Sequence, residues 1–321
     1  MKNIEIKNFK CFEDFKAEGF GRVNLIGGKN NVGKTAFIEA CLMNTKTKDS
    51  LFQSFINVIV SIEFFREHSI DEVLKASDFN QYSKLVGIWL KKYMDIILNS
   101  NINNISIKYD NKSELKILLN NNSYGFADFN IVEIQSTVKF LTNFISSSFI
   151  DSNHLIYLYD DVKRVRKRKE INKFINNFDY DIIEYEVIDN SPVCFSKKLN
   201  NFIDLSEYGN GLKRYVAYVC AIWANKDGYV FIDEVENGIH YSNLDKLWEV
   251  ILKTSKEANC QVFVTTHSKE CIESYARVAK KLEDEEITYT VFSKLKDGSI
   301  KAGVRDFELF QNSILQEHEV R

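Results

Sequence analysis

"GGKNNVGKT", residues 27 to 35, decides how this chain is read. Gly28, Gly33, Lys34 and Thr35 stand in the spacing G-x-x-x-x-G-K-[ST], in which a glycine-rich turn aims backbone N–H groups inward around a phosphate. The flanks agree. Arg22 to Gly28, "RVNLIGG", supplies Val23, Leu25 and Ile26 for a short buried strand, and "KTAFIEACLMN" places Phe37, Ile38, Cys41 and Leu42 at helical spacing without a breaker. Strand, loop and helix in this order put the loop at a helix N-terminus, whose positive potential favours an anion. Lys34 is then in reach of terminal phosphates, and Thr35 is placed to ligate magnesium.

The chain has 321 residues, 45% of them hydrophobic, enough for one large or two modest domains around a substantial core. Its net charge of -3 argues against a generally basic surface, so any nucleic-acid contact has to be local. Six cysteines (Cys11, Cys41, Cys194, Cys220, Cys260 and Cys271) are scattered without a C-x-x-C pair and read as reduced core residues. "MKNIEIKNFKCFEDF" alternates like a strand and lacks the apolar stretch of a signal peptide, and "LFQSFINVIVSIEFF" is broken by Gln53, Asn57 and Glu63. The expectation is a soluble cytoplasmic protein with no membrane contact.

Punctuation is sparse, with one proline, Pro192, so zones separate by pattern instead of by linkers. Residues 1–44 are strand-rich and end in the phosphate loop and its helix. In the next zone, stretches 51–66 and 84–98 predict helices, and "ISIKYDNKSELKI" predicts a hairpin, with Ile105, Ile107 and Tyr109 alternating before a polar turn and Leu115 and Ile117 after it. From about residue 200, helix and strand alternate again.

That last zone holds the informative side chains. "YVFIDEVENG", Tyr229 to Gly238, is a short apolar run ending in Asp233 and Glu234, as a central parallel strand would deliver two carboxylates to its C-terminal edge. Leu244, Leu247, Trp248, Ile251 and Leu252 come next at helical spacing, and "CQVFVTTHS" gives a second buried strand leading to His267. In "LSEYGNGLKRYVAYVCAIWAN", Ser206, Gly209 and Gly211 open a helix, a second device suited to an anion. One nucleotide cannot easily use both devices of one protomer, so the second is expected to cap the phosphate of a partner.

In this order and with these identities the chain resembles ATP-binding-cassette-type ATPases of the RecF, SMC and OLD group, and within it the AAA15-type domains. "IKNFKCFEDF" resembles the opening strand pair of that group. The resemblance implies an α/β P-loop NTPase fold: an ABC-ATPase head with a mixed central sheet, N-terminal antiparallel strands and a helical and hairpin insertion. Residues 1–44 and 200–321 would form the core and 45–199 the insertion. It also implies ATP and Mg2+ as cofactors. Gly28, Asn30, Asn31 and Gly33 would line the phosphates, Lys34 would hold the β and γ phosphates, and Thr35 and Asp233 would hold magnesium. Glu234 would orient or deprotonate the attacking water and His267 would sense the γ phosphate. Ser206, Gly209 and Gly211, in a variant "SEYGNG" in place of LSGGQ, would contact that phosphate from the opposite subunit. Lys213 or Arg214 could add positive charge in trans, although a solvated helix face explains them equally.

The gap between phosphate loop and signature is too short for SMC-type heptads and too long for a transporter subunit, and the stretch after His267 leaves no room for the TOPRIM nuclease of OLD proteins. The expected machine is a stand-alone ATPase, a homodimer or higher homo-oligomer, working with a separately encoded effector as in two-component anti-phage systems. The alternative is a RecF-like DNA-repair ATPase that binds DNA through "KRVRKRK", Lys163 to Lys169, although flanking Asp160, Asp161 and Glu170 favour a solvated helix face. A P-loop kinase or GTPase would use the loop but give Ser206 no task.

Overall fold

In the computed structural model, which describes residues 1–45, 96–109, 115–125, 142–147, 150 and 152–315, the alternation of Ile4 and Ile6 with Glu5 and Lys7 becomes strand β1 (Asn3–Phe9), followed by β2 (Phe12–Glu18), β3 (Val23–Gly28) and helix α1 (Lys34–Asn44). Four strands come next, β4 (Ile96–Ser100), β5 (Asn104–Tyr109), β6 (Leu115–Leu119) and β7 (Asn122–Gly125), then the two-residue β8 (Phe144–Ile145). Helices α2 (Ser152–Arg164) and α3 (Arg168–Phe178) precede β9 (Ile182–Ile188), β10 (Ser191–Ser196) and β11 (Asn201–Asp204). The last third runs α4 (Asn210–Ala224), β12 (Tyr229–Ile232), α5 (Leu244–Glu257), β13 (Gln261–Thr265), α6 (Lys269–Lys281), β14 (Ile287–Lys294), β15 (Ile300–Arg305) and α7 (Phe307–Leu315). Two compact units result, one of residues 1–20, 29–141 and 292–304, the other of 21–28, 142–291 and 305–321.

The first unit is built on a six-stranded antiparallel sheet in the order β2-β1-β4-β5-β6-β7. Ile4 faces Ala17 and Ile6 faces Phe15 across β1 and β2, so the period-two pattern buries one apolar row and exposes the charged one. On this side lies α1, whose Phe37 ring sits 5.8 Å from Phe15 and 5.2 Å from Phe292. Burying each such ring contributes about 1.5–3 kcal/mol. The β1–β2 turn is tied to α1 by a Lys10–Glu39 ion pair of 2.6 Å, with Glu39 2% exposed. At the other end of α1, the Asn44 side chain donates to the carbonyls of Leu98 and Asn103.

The predicted hairpin is β5–β6, with Ile105 opposite Leu119 and Tyr109 opposite Leu115. The helix predicted over 84–98 is corrected where it is described: Ile96 and Leu98 are buried alternately with half-exposed Ile97, and the segment is strand β4, paired with β1. Its earlier part, the stretch 51–66 and the hairpin turn lie outside the described residues.

The second unit carries the parallel sheet. β3, β13, β12 and β8 run parallel, with Leu25 beside Val264 and Ile232 beside both Val264 and Ile145, and β14 lies beyond β3. Strands covered on both faces need continuous apolar runs, which "VFI" and "VFV" provide. The helical spacing of Leu244, Leu247, Trp248, Ile251 and Leu252 puts all five in the core. Trp248 Nε1 donates to the Cys271 carbonyl at 3.0 Å and the Tyr275 hydroxyl to that of Val23 at 2.9 Å, so the polar ends of buried aromatics are satisfied. A three-stranded antiparallel sheet, β11-β10-β9, packs with α2 and α3 in the same unit. Along β9, Asn172 accepts the amide of Tyr185 and Asn176 donates to the carbonyl of Ile182. Five of the six free cysteines are buried as expected, while Cys11 is exposed. Among the described residues no helix is long and apolar enough to cross a membrane.

Candidate functional site

The phosphate loop leaves β3 at Gly28 (φ 140°) and enters α1 through Gly33 (φ 85°), with Asn31 between them also left-handed (φ 66°). Gly33 admits nothing larger: a Cβ there would lie 2.5 Å from the Cys11 sulfur and 2.9 Å from the Phe12 ring, and its φ is one that side chains resist. Lys34, 7% exposed, folds its ammonium back over the loop to the carbonyl of Lys29 at 2.9 Å. Asn30 and Asn31 are exposed and Thr35 is half-buried at the first turn of α1. A helix start whose cap is glycine, with a lysine held across the turn, offers positive charge of the kind that suits a phosphate chain.

In the second unit, parallel β12 and β13 end side by side, and their polar ends are joined. Asp233, 5% exposed, receives the Thr265 hydroxyl at 2.7 Å, with Ser147 Oγ 3.4 Å from its other oxygen. The Glu234 amide donates to the same Thr265 hydroxyl at 2.8 Å. Glu234 is left-handed (φ 50°), a conformation that costs free energy for a residue with a side chain. It is held there by that amide bond, by Val235 N–H on the Thr265 carbonyl, and by Asn237, which donates to Glu234 Oε2 at 3.0 Å. The turn after β13 brings His267 Nε2 to 3.3 Å from Glu234 Oε1, both partly exposed. Asp233 offers hard carboxylate oxygens of the type that magnesium prefers.

Ser206 is the second residue of a short 3-10 turn, Leu205–Tyr208, between β11 and α4. Its amide and hydroxyl both donate to Asp204 Oδ1, at 2.8 and 2.6 Å, and the hydroxyl bond, with the amide bond after it, holds the Asp204 carboxyl below its ordinary range. Asp204, not Ser206, is therefore the cap of this turn. Gly209 (φ 79°) precedes α4, and Gly211 packs close to the loop after Glu234, where a Cβ would stand 3.1 Å from the Gly238 carbonyl. Within this unit the structure therefore brings the signature segment beside the loop that follows Glu234.

The two basic features of the sequence come out differently. Arg214 is 7% exposed and gives its guanidinium to the carbonyls of Ser146 and Ser147, so it is no free cation on a helix face. In "KRVRKRK" the run is split between the end of α2 and the start of α3. Lys163 pairs with Asp160, Arg164 with Asp161, Lys167 with Glu170, and Arg168 with Glu184 and Glu186. Lys167 also lies 4.5 Å above the Trp223 ring. Four of the six basic residues are thus ion-paired, three of them with the acids that flank the run, in keeping with the solvated helix face.

Sequence patterns do not single out Thr265, Glu236 and Asn237. Thr265 sits in "VTTHS", where a hydroxyl at the end of a central strand is the available signal; Glu236 and Asn237 come after the carboxylate pair and carry none of their own.

Comparisons with known proteins agree with this architecture. The family model described as "AAA domain, putative AbiEii toxin, Type IV TA system" matches residues 108–273, a stretch that includes Ser206, Asp233, Glu234 and His267. The chain is 25% identical over 334 aligned positions to an "ATP/GTP phosphatase" of Helicobacter pylori, covering 87% of this chain and 88% of that one. Among solved structures it is similar to an Smc head bound to the C-winged helix domain of ScpA, at TM-score 0.57 and 13% identity over 96% of this chain and 98% of that one. It is also similar to the Smc head with an extended coiled coil bound to the C-terminal domain of ScpA, derived from Pyrococcus furiosus, at TM-score 0.54 and 12% identity over 98% of each chain. These likenesses show an ABC-type, SMC-head fold.

Proposed function

The chain belongs to the AAA domain family described as putative AbiEii toxin, Type IV TA system, and we propose that it is an ATPase head that works in pairs, with ATP held between the phosphate loop of one subunit and the signature segment of the other. The observation that carries this reading is the Glu234–His267 contact of 3.3 Å, made beside a buried aspartate at the ends of two parallel strands. A strained glutamate kept in place by three hydrogen bonds suits the task of orienting or deprotonating the attacking water.

Lys34 would hold the β and γ phosphates, with Gly28, Asn30, Asn31 and Gly33 around them. Thr35 and Asp233 would hold magnesium, Asp233 through water; the ion neutralises charge on the phosphate oxygens when bound. His267 would sense the γ phosphate. Ser206, Gly209 and Gly211 would approach it from the second subunit, so that hydrolysis loosens the pair. A separately encoded effector would read this cycle in a defence system. The ScpA domains bound to Smc heads support that division of labour.

The test is the mass of the Glu234→Gln protein by light scattering, with and without ATP and magnesium, beside the same protein carrying Ser206→Arg. Self-association driven by ATP and abolished by Ser206→Arg supports the paired head. A mass indifferent to ATP rejects it.

A further inference from the structure

The loop after β12 carries another carboxylate, to which the reading above gives no task. Glu236 Oε1 accepts two backbone bonds, from the amide of His267 at 3.0 Å and from that of Ser268 at 3.2 Å. Glu236 Oε2 is buried and has no hydrogen-bond partner among the described residues. Both amides belong to the turn between β13 and α6, the turn that presents His267 to Glu234. Glu236 itself stands on firm ground. Its neighbour Val235 donates to the Thr265 carbonyl and accepts from the buried Tyr218 hydroxyl at 3.1 Å, and its own carbonyl accepts the Ile239 amide at 2.9 Å.

A carboxylate on amides near a helix start is commonly a cap and nothing more. Here the capping is done by another residue: Ser268 is the N-cap of α6, its hydroxyl accepts the Cys271 amide at 3.1 Å, and Glu270 supplies the acidic group of the first turn. Glu236 grips the residues before the helix instead. The imidazole and the Glu234 carboxylate sit on different loops, and among the described contacts Glu236 bonds the His267 amide from the loop that holds Glu234.

We propose that Glu236 is a positioning residue for ATP hydrolysis, one that clamps the His267 turn to the Glu234 loop and so sets the distance between the two side chains. The inference rests on the roles proposed above for Glu234 and His267. Misplacing a group by about 1 Å costs on the order of a hundredfold in rate while leaving substrate binding intact.

The experiment compares Glu236→Ala, Glu236→Gln and Glu234→Gln in the full chain, by ATPase kinetics and by nuclear magnetic resonance of 15N-histidine-labelled protein without nucleotide, the His267 signal being assigned from His267→Gln. Glu236→Ala is expected to lower kcat by roughly tenfold to a hundredfold with KM for ATP within about twofold. Its His267 imidazole signals should shift while those of His154 and His240 stay in place. Glu236→Gln, which keeps an acceptor oxygen, should recover most of the rate and the wild-type His267 signals. An unchanged kcat and unchanged His267 signals in Glu236→Ala, beside an inactive Glu234→Gln, would overturn the positioning role alone. So would a general loss of folding that Glu236→Gln does not relieve. Wild-type hydrolysis by Glu234→Gln would remove the roles given to Glu234 and His267, and this inference with them.

Discussion

The Thr265 hydroxyl donates to the Asp233 carboxylate at 2.7 Å, joining the ends of two neighbouring parallel strands. Because the same oxygen accepts the Glu234 amide, one side chain both satisfies a buried acid and fixes the backbone of the residue beside it. Thr265→Val keeps the volume and deletes both bonds. It should cost about 2 kcal/mol in urea unfolding, the penalty of stranding buried polar groups, and should lower kcat because Glu234 loses its restraint.

The Lys10–Glu39 pair is a buried ionic contact that carries a forecast of its own. With Glu39 2% exposed, removing it by Glu39→Ala leaves the Lys10 charge poorly solvated and should destabilise the protein by about 3–5 kcal/mol in chemical denaturation. Replacing both residues by methionine should restore most of that stability, since the charges are then absent together.

At the signature turn the forecast concerns pH. The Ser206 hydroxyl and amide hold the folded Asp204 carboxyl low, so its contribution to stability is present above the unfolded pKa and is lost as pH falls through the folded one. Ser206→Ala should move the Asp204 titration upward toward the ordinary aspartate range, read by 13C resonance of the carboxyl. An unmoved titration would mean that the turn is held by other contacts.

Gly33 allows the sharpest steric forecast. Gly33→Ala has to displace the Cys11 sulfur and the Phe12 ring and also adopt a φ of 85°. ATP binding measured by calorimetry should weaken by more than about tenfold, and a second change, Cys11→Gly, should recover little of it, because the backbone strain and Phe12 remain.

How much of this is legible in the sequence depends on the physics of each residue. The phosphate loop is legible because a left-handed turn and a bound anion both restrict residue choice, to Gly28, Gly33, Lys34 and Thr35. β12, β13 and α5 are legible because burial imposes a period, and the antiparallel hairpin because Ile105, Ile107, Leu115 and Ile117 alternate around a polar turn. β4 reads as helix because Ile96, Ile97 and Leu98 continue an apolar run whose period does not separate helix from strand. The solvated-face reading of the basic run is legible because Asp160, Asp161 and Glu170, which pair with Lys163, Arg164 and Lys167, stand within a turn of them in the sequence, whereas the partners of Arg168, Glu184 and Glu186, stand on a strand well removed. Arg214 looks open to a role in trans because its acceptors are the carbonyls of Ser146 and Ser147, which no side-chain pattern announces.

Asn172 and Asn176, on α3, occupy the Tyr185 amide and the Ile182 carbonyl of β9, the end strand of its three-stranded sheet. A sheet margin left bare invites another chain to add itself by backbone pairing, which is how domain-swapped oligomers and fibrils begin. Two short amides on a neighbouring helix occupy part of that margin. Replacing them with apolar residues would free the Tyr185 amide and the Ile182 carbonyl for backbone pairing with another chain.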